Sequence, residues 1–169
     1  MGRSPGRSLA AQLISAAVAL GLTGCGQGSV KPIHGLNRAL RQSASSQRAP
    51  QLGQDWLVTL ASQRGREKIE LLNLRNGRRP VPLPGLNRAD AQPISVSVSA
   101  DGERLALIRQ RENQTELLLY RRSTGLVQRL EINPRGVPRH VSISGNGRTL
   151  AVQVSRDGRW DVDLIRLPG

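Results

Sequence analysis

Phenylalanine is absent from this 169-residue sequence, and only Trp56, Tyr120 and Trp160 supply aromatic rings. Proteins that bind single-stranded nucleic acid stack bases on aromatic platforms, so a nucleic-acid partner is not expected. Histidine occurs only at His34 and His140, with no cysteine or glutamate at ligand spacing. A zinc-type site and a metal cofactor are therefore not expected either, and nothing in the pattern calls for any other cofactor. Cysteine occurs once, at Cys25, which excludes an internal disulfide. Lysine is limited to Lys31 and Lys68, and acids are outnumbered by cations 12 to 25, for a formal charge of +13. A surplus carried by arginine would attract anionic lipid, acidic glycan or lipopolysaccharide. It equally fits arginine spread over solvated strand faces.

The longest apolar run, Leu9 to Leu22, is too short to span a bilayer. It follows a segment with Arg3 and Arg7 and no acid, as the h-region of a secretion signal does. The run ends in Leu22-Thr23-Gly24-Cys25, which resembles the lipobox of bacterial lipoproteins. Small residues let the backbone enter a signal peptidase, and the thiol takes the diacylglycerol. The competing reading is an N-terminal helix with an incidental buried cysteine, but the lone cysteine stands where the lipobox requires it. Leu22, Thr23 and Gly24 are thus expected to be recognised by the peptidase and Cys25 to carry lipid. Residues 1–24 would be a lipoprotein signal peptide and 25–46 a flexible tether, rich in Gly, Ser and Gln. A short helix around Leu36–Gln42 would be marginal alone. The expected location is the periplasmic side of the cell envelope, with the membrane reached through the lipid.

Beyond the tether the chain repeats. Val96-Ser97-Val98-Ser99-Ala100-Asp101-Gly102 aligns without a gap on Val141-Ser142-Ile143-Ser144-Gly145-Asn146-Gly147, 45 residues on. An earlier copy fits at an offset of 48, with Leu57 under Leu105, Ile69 under Leu117 and Gly77 under Gly125. Gly35-Leu36-Asn37-Arg38-Ala39 also recurs at Gly85-Leu86-Asn87-Arg88-Ala89, which predicts a similar connector before each repeat. Within the repeat, apolar residues alternate with serine at the strand period of two. Asp101-Gly102, Asn146-Gly147 and Asp157-Gly158 read as hairpin turns, because Asx and glycine tolerate positive φ. Further strands are predicted at Arg104–Arg109, Thr149–Ser155, Ile69–Leu74, Glu116–Arg121 and Asp161–Leu167, with a fourth at Leu126–Glu131 and a weak one at Pro80–Leu83. The serine-rich first strand would lie where neighbouring repeats crowd together. The predicted fold class is all-β: a partial β-propeller of about three four-stranded antiparallel blades, approximately 47–84, 91–131 and 138–169.

Ser99–Gly102 with Leu105-Ala106, and Ser144–Gly147 with Leu150-Ala151, Arg156, Gly158 and Asp161, resemble the WD40-like propeller repeat of the TolB type. The resemblance covers 47–169. It departs from the family at Ala100 and Gly145, where proline is usual, and at Leu107 and Val152, where an aromatic is usual. It implies binding of partner proteins through loops and the channel mouth. No evident fourth strand follows the last repeat, so capping by a partner or by the tether, or a homo-oligomer completing the propeller, is expected.

Individual residues point to no chemistry. Asp161 and Asp163 share a strand face, but Arg156, Arg159 and Arg166 lie near enough to pair with them. Ser97, Ser99, Ser142 and Ser144 have no nucleophile motif around them. Trp56 and Trp160 read as packing groups. The expectation is a protein that is not an enzyme but an interaction scaffold of envelope proteins; the alternatives are a binder of anionic glycan or lipopolysaccharide, and an accessory domain gating a peptidase whose catalytic domain another chain supplies.

Overall fold

A computed structural model describes residues 30–77 and 79–168. Successive side chains of a strand point to opposite faces, so unbroken apolar runs such as Leu105–Ile108 and Leu117–Leu119 give a paired sheet two apolar faces, and antiparallel sheets form here three times. The first sheet holds β1 (Ser46–Leu52), β2 (Trp56–Gln63) and β3 (Arg66–Asn73). The second holds β4 (Gln92–Val98), β5 (Arg104–Arg111), β6 (Gln114–Arg121) and β7 (Leu126–Leu130). The third holds β8 (Val137–Ile143), β9 (Thr149–Arg156) and β10 (Arg159–Arg166). Every pairing is antiparallel and joins strands consecutive in sequence. The described residues are therefore all-β apart from one short helix, α1 (His34–Gln42), and form a partial propeller of three blades.

The repeat read from the sequence is the structural repeat. β5 and β9 begin 45 residues apart, as do β6 and β10 and also β4 and β8; β2 and β3 precede β5 and β6 by 48. Among the described residues only the middle blade has all four strands. In the first, Pro80-Val81-Pro82-Leu83-Pro84 replaces the fourth strand, and a proline offers no N–H to a ladder. Val81 alone makes the bridge, its N–H donating to the Leu71 carbonyl at 2.7 Å. The two copies of the Gly-Leu-Asn-Arg-Ala connector also differ. Residues 35–39 lie inside α1, whereas Gly85 follows Pro84 with φ +74° and starts a turn. Asn87 then fixes that turn by donating to the Ile69 carbonyl at 2.9 Å and accepting the Ile69 N–H at 2.7 Å.

Two apolar layers join the blades. Between the first and second lie Val58, Leu60, Ile69 and Leu71 against Val96, Val98, Leu105, Leu107, Leu118 and Tyr120. Between the second and third lie Ala106, Ile108, Leu117 and Leu119 against Val141, Ile143, Leu150, Val152 and Val154. Each fully buried leucine or valine contributes about 1.5–3 kcal/mol.

The seam between second and third blades is also hydrogen-bonded. β8 pairs only with β9, so the N–H groups on its other edge need acceptors. Serines on β4 provide them: Ser95 Oγ accepts the Val141 N–H at 3.2 Å and Ser97 Oγ accepts the Ile143 N–H at 3.1 Å. A small hydroxyl on an inner strand thus lets two blades approach and satisfies the facing backbone. At the strand ends, the Ala100 N–H donates to the Gly145 carbonyl at 2.9 Å, and Arg104 reaches the carbonyls of Gly147 (3.0 Å) and Pro168 (3.1 Å). In the first seam Trp56 covers Gly102, where any Cβ would overlap the indole, and Arg122 stacks on the same ring at 4.7 Å.

Ser97→Ala should leave the buried Ile143 N–H without an acceptor and cost about 1–3 kcal/mol in denaturant unfolding. Ser142→Ala, at the exposed equivalent position on β8, should change stability by less than about 0.5 kcal/mol.

Candidate functional site

Leu22, Thr23, Gly24 and Cys25 lie outside the described residues, as does the rest of the 1–24 segment. The turn residues are all described. Asp101 and Asn146 do not take positive φ; only Gly102 (+70°) and Gly147 (+68°) do. Their carboxyl and amide oxygens act instead as acceptors inside five-residue turns. Ser99 Oγ donates to Asp101 Oδ1 at 2.6 Å, which also accepts the Glu103 N–H at 3.0 Å. Ser144 and Asn146 repeat this at 2.7 and 3.0 Å. The serine hydroxyl bond holds the Asp101 carboxyl below its ordinary range, aided by the backbone N–H of Glu103. Asp157-Gly158 is a two-residue turn with φ +47° and +77°, matched by Arg64-Gly65 and Glu112-Asn113. All of these positions shape the ends of the blades.

The candidate chemical groups do not converge. His34 opens α1 and is exposed. His140 lies on β8 with Nδ1 3.2 Å from Ser95 Oγ. Asp161 and Asp163 both face Arg156, Asp161 at 3.5 Å, and the same guanidinium donates to the Pro134 carbonyl at 2.9 Å. That cluster ties the loop before β8 to β10. Ser99 and Ser144 are engaged in their turns. Among the described residues no group of three His, Cys, Asp or Glu side chains is placed to hold a metal ion. No described helix is long and apolar enough to cross a membrane.

Two surfaces have the shape of binding sites. The first is an open cleft of about 440 Å³ at the end of the first two blades, lined by Arg66, Glu67, Asp90, Gln92, Arg111 and Glu112. Its carboxylates Glu67 and Asp90 are paired: Glu67 with Arg48 at 2.6 Å, and Asp90 with Arg88 at 2.9 Å and with Arg111 at 3.0 Å. The second is the outward face of the third sheet. Trp160, Val162 and Leu164 alternate along β10 and are 58, 69 and 75 % exposed, and Val137 on β8 joins them at 43 %. Trp160, expected from the sequence to fill a gap between blades or to cap a surface pocket, lies exposed in this stripe. The signal for the stripe was the repeat itself, since Val162 and Leu164 align with Leu117 and Leu119, which are buried.

The arginines do not gather on one surface. In the middle blade Arg104 and Arg122 sit at one end and Arg111 at the other. Arg48, Arg75, Arg88, Arg109 and Arg156 are also in ion pairs, so the polyanion alternative gains no support.

No protein-family model matches the sequence, and neither does any curated protein. Solved structures do match. TolB from Acinetobacter baumannii superposes with a TM-score of 0.55 at 19 % identity, over 73 % of this chain and 30 % of that one. A putative TolB from Agrobacterium tumefaciens gives 0.52 at 18 % identity, over 66 % of this chain and 39 % of the other. The chain thus spans well under half the length of these TolB structures, and the fold it shares with them is the TolB-like β-propeller. One expectation is corrected. A puromycin-hydrolyzing peptidase from Mycobacterium tuberculosis matches with a TM-score of 0.53 at 21 % identity, over 72 % of this chain and 19 % of the peptidase. Blades of this kind also occur within an enzyme, so excluding enzymatic function from the absence of a sequence motif does not stand. The fold serves both uses, and only a site can decide between them.

The Arg88 guanidinium bonds Asp90 through two nitrogens, at 2.9 and 3.1 Å, and holds its carboxyl down to about 2. A carboxyl shifted this way stabilises the fold above its ordinary value of 3.8 and loses that contribution as pH falls from there through 2. Carboxyl NMR titration should give Asp90 a midpoint near 2, and Arg88→Gln should return it towards 3.8.

Proposed function

We propose that this chain is an exported lipoprotein of the bacterial cell envelope that holds a stack of propeller blades at the periplasmic side of a membrane and binds other proteins with it. The observation that carries the binding role is the apolar face of the third sheet. Trp160, Val162, Leu164 and Val137 form one exposed stripe, whereas the equivalent side chains between the blades are covered. Contiguous exposed apolar surface of this kind marks protein contact sites. The TolB resemblance supports the same reading, since it implies partner binding by the propeller. The anchor rests on the sequence alone: a short apolar run ending in Leu22-Thr23-Gly24-Cys25. Two or three acyl chains on Cys25 would be enough for stable attachment.

Cells grown with a clickable palmitate analogue should label the wild-type protein, and Cys25→Ser should carry no label and leave the membrane fraction. Label retained by Cys25→Ser would overturn the anchor. Leu164→Arg, at an exposed position, should leave thermal stability unchanged and weaken capture of envelope proteins at least tenfold.

A further inference from the structure

The first 54 residues contain no aspartate or glutamate, and the first acid of the chain, Asp55, pairs with Arg75 at 2.7 Å. Between Cys25 and Asp55 stand Lys31, Arg38, Arg41 and Arg48. Arg48 belongs to the first blade, where it pairs with Glu67 at 2.6 Å. The other three enter no ion pair among the described residues.

The helix α1 orders two of these cations, within the segment expected to be a tether. It belongs to the same compact unit as the blades. Leu36, Ala39 and Leu40 lie on one side of it and are half-buried. His34, Arg38 and Arg41 follow one another at spacings of four and three residues, so they share the opposite side, and all three are exposed. Two arginines three apart on a helix without acids repel each other and weaken it. Arg41 in the last turn does favour the helix dipole. Arg38 in the middle and Lys31 before the helix gain nothing from that dipole. Local stability thus leaves the stripe unexplained, and its counter-charge must come from outside the described chain. The place of the stripe in the chain says where from. Nine residues lead from Cys25 to His34, and nine residues reach at most about 30 Å when fully extended. Acyl chains on Cys25 would hold α1 within that distance of a bilayer surface.

We infer that the exposed stripe of α1 rests on that surface, with the guanidinium groups of Arg38 and Arg41 on the phosphates of anionic phospholipid. This rests on the lipid anchor proposed above and adds a second contact to it. Guanidinium is suited to the task, since its fork of N–H donors matches two phosphate oxygens. Each cation close to an anionic membrane surface strengthens attachment about fivefold, so Lys31, Arg38 and Arg41 together supply about a hundredfold. On a protein already held by acyl chains, that gain is spent on position. It draws α1, and the unit it belongs to, down onto the head groups instead of leaving them at the limit of the tether.

The test uses the full chain purified from membranes with its acyl chains, their presence read by mass spectrometry. Acylated Cys25 has no free thiol, so a fluorescent maleimide labels only Gln42→Cys, the exposed neighbour of Arg41. The protein is reconstituted into vesicles of phosphatidylcholine alone, or of phosphatidylcholine and phosphatidylglycerol in equal parts, both with the same share of a phosphatidylcholine bearing a head-group nitroxide. Quenching by the nitroxide should be greater by about threefold or more in the anionic vesicles at low salt. The difference should vanish in molar salt, which screens such contacts. Arg38→Gln with Arg41→Gln should abolish it at an unchanged melting temperature, and Arg38→Lys with Arg41→Lys should retain most of it. Equal quenching of an acylated protein in the two vesicle types, or a difference that survives in the glutamine pair, overturns this contact and leaves the anchor standing. A purified protein without acyl chains overturns both.

Discussion

Leucine, valine and isoleucine on both faces of the middle sheet oblige it to be covered twice. One face carries Val96, Val98, Leu105, Leu107, Leu118 and Tyr120, the other Ala106, Ile108, Leu117 and Leu119. A sheet of this composition cannot stand alone in water, because the apolar area it would expose outweighs what pairing its strands gains. Stacking is therefore the primary constraint, and the rest follows from it. The inner strands approach closely, so they carry serine. The turns at one end meet, so glycine stands at residues 53 and 102, where a Cβ would overlap the Ser99 carbonyl and the Trp56 indole. Trp56 closes the gap over Gly102, and Arg122 covers the indole in turn.

Much of this architecture was legible in the chain because a repeat converts one good strand assignment into several. The offsets of 45 and 48 fall on the strand starts themselves. The first copy was harder to read since its first turn, residues 53–55, is two residues shorter than residues 99–103. The missing fourth strand of the first blade was also present as a signal, in three prolines within five residues, but apolar Val81 and Leu83 outweighed it. The echo of Gly-Leu-Asn-Arg-Ala misled for a different reason. A pentapeptide takes its conformation from its surroundings, and Pro84 before one copy and His34 before the other send the same residues into a turn and a helix.

The surfaces were less legible than the fold. That Ser95 and Ser97 would face the backbone of β8 depends on the angle between two sheets, which no local pattern encodes. The exposed stripe on β10 has the same alternation as a buried strand, and only its place at the end of the stack distinguishes it. The lipid-anchor motif is the reverse case: it is read wholly from residues 22–25, without help from the fold. Function is bounded in the same uneven way. A blade stack shared with TolB and with a peptidase describes a platform, and the side chains at its ends give it a use.

The serine-to-backbone bonds across the second seam bear on how such repeats can drift apart. Ser97 Oγ accepts a hydrogen bond from the peptide N–H of residue 143, so this bond is indifferent to the side chain at that position, provided that it is not proline. One partner in the bond is therefore invisible to mutation. Residues on the inner strand can change without any compensating change at this bond, and correlated substitutions between related chains would leave the contact unmarked although it helps to set the spacing of the seam.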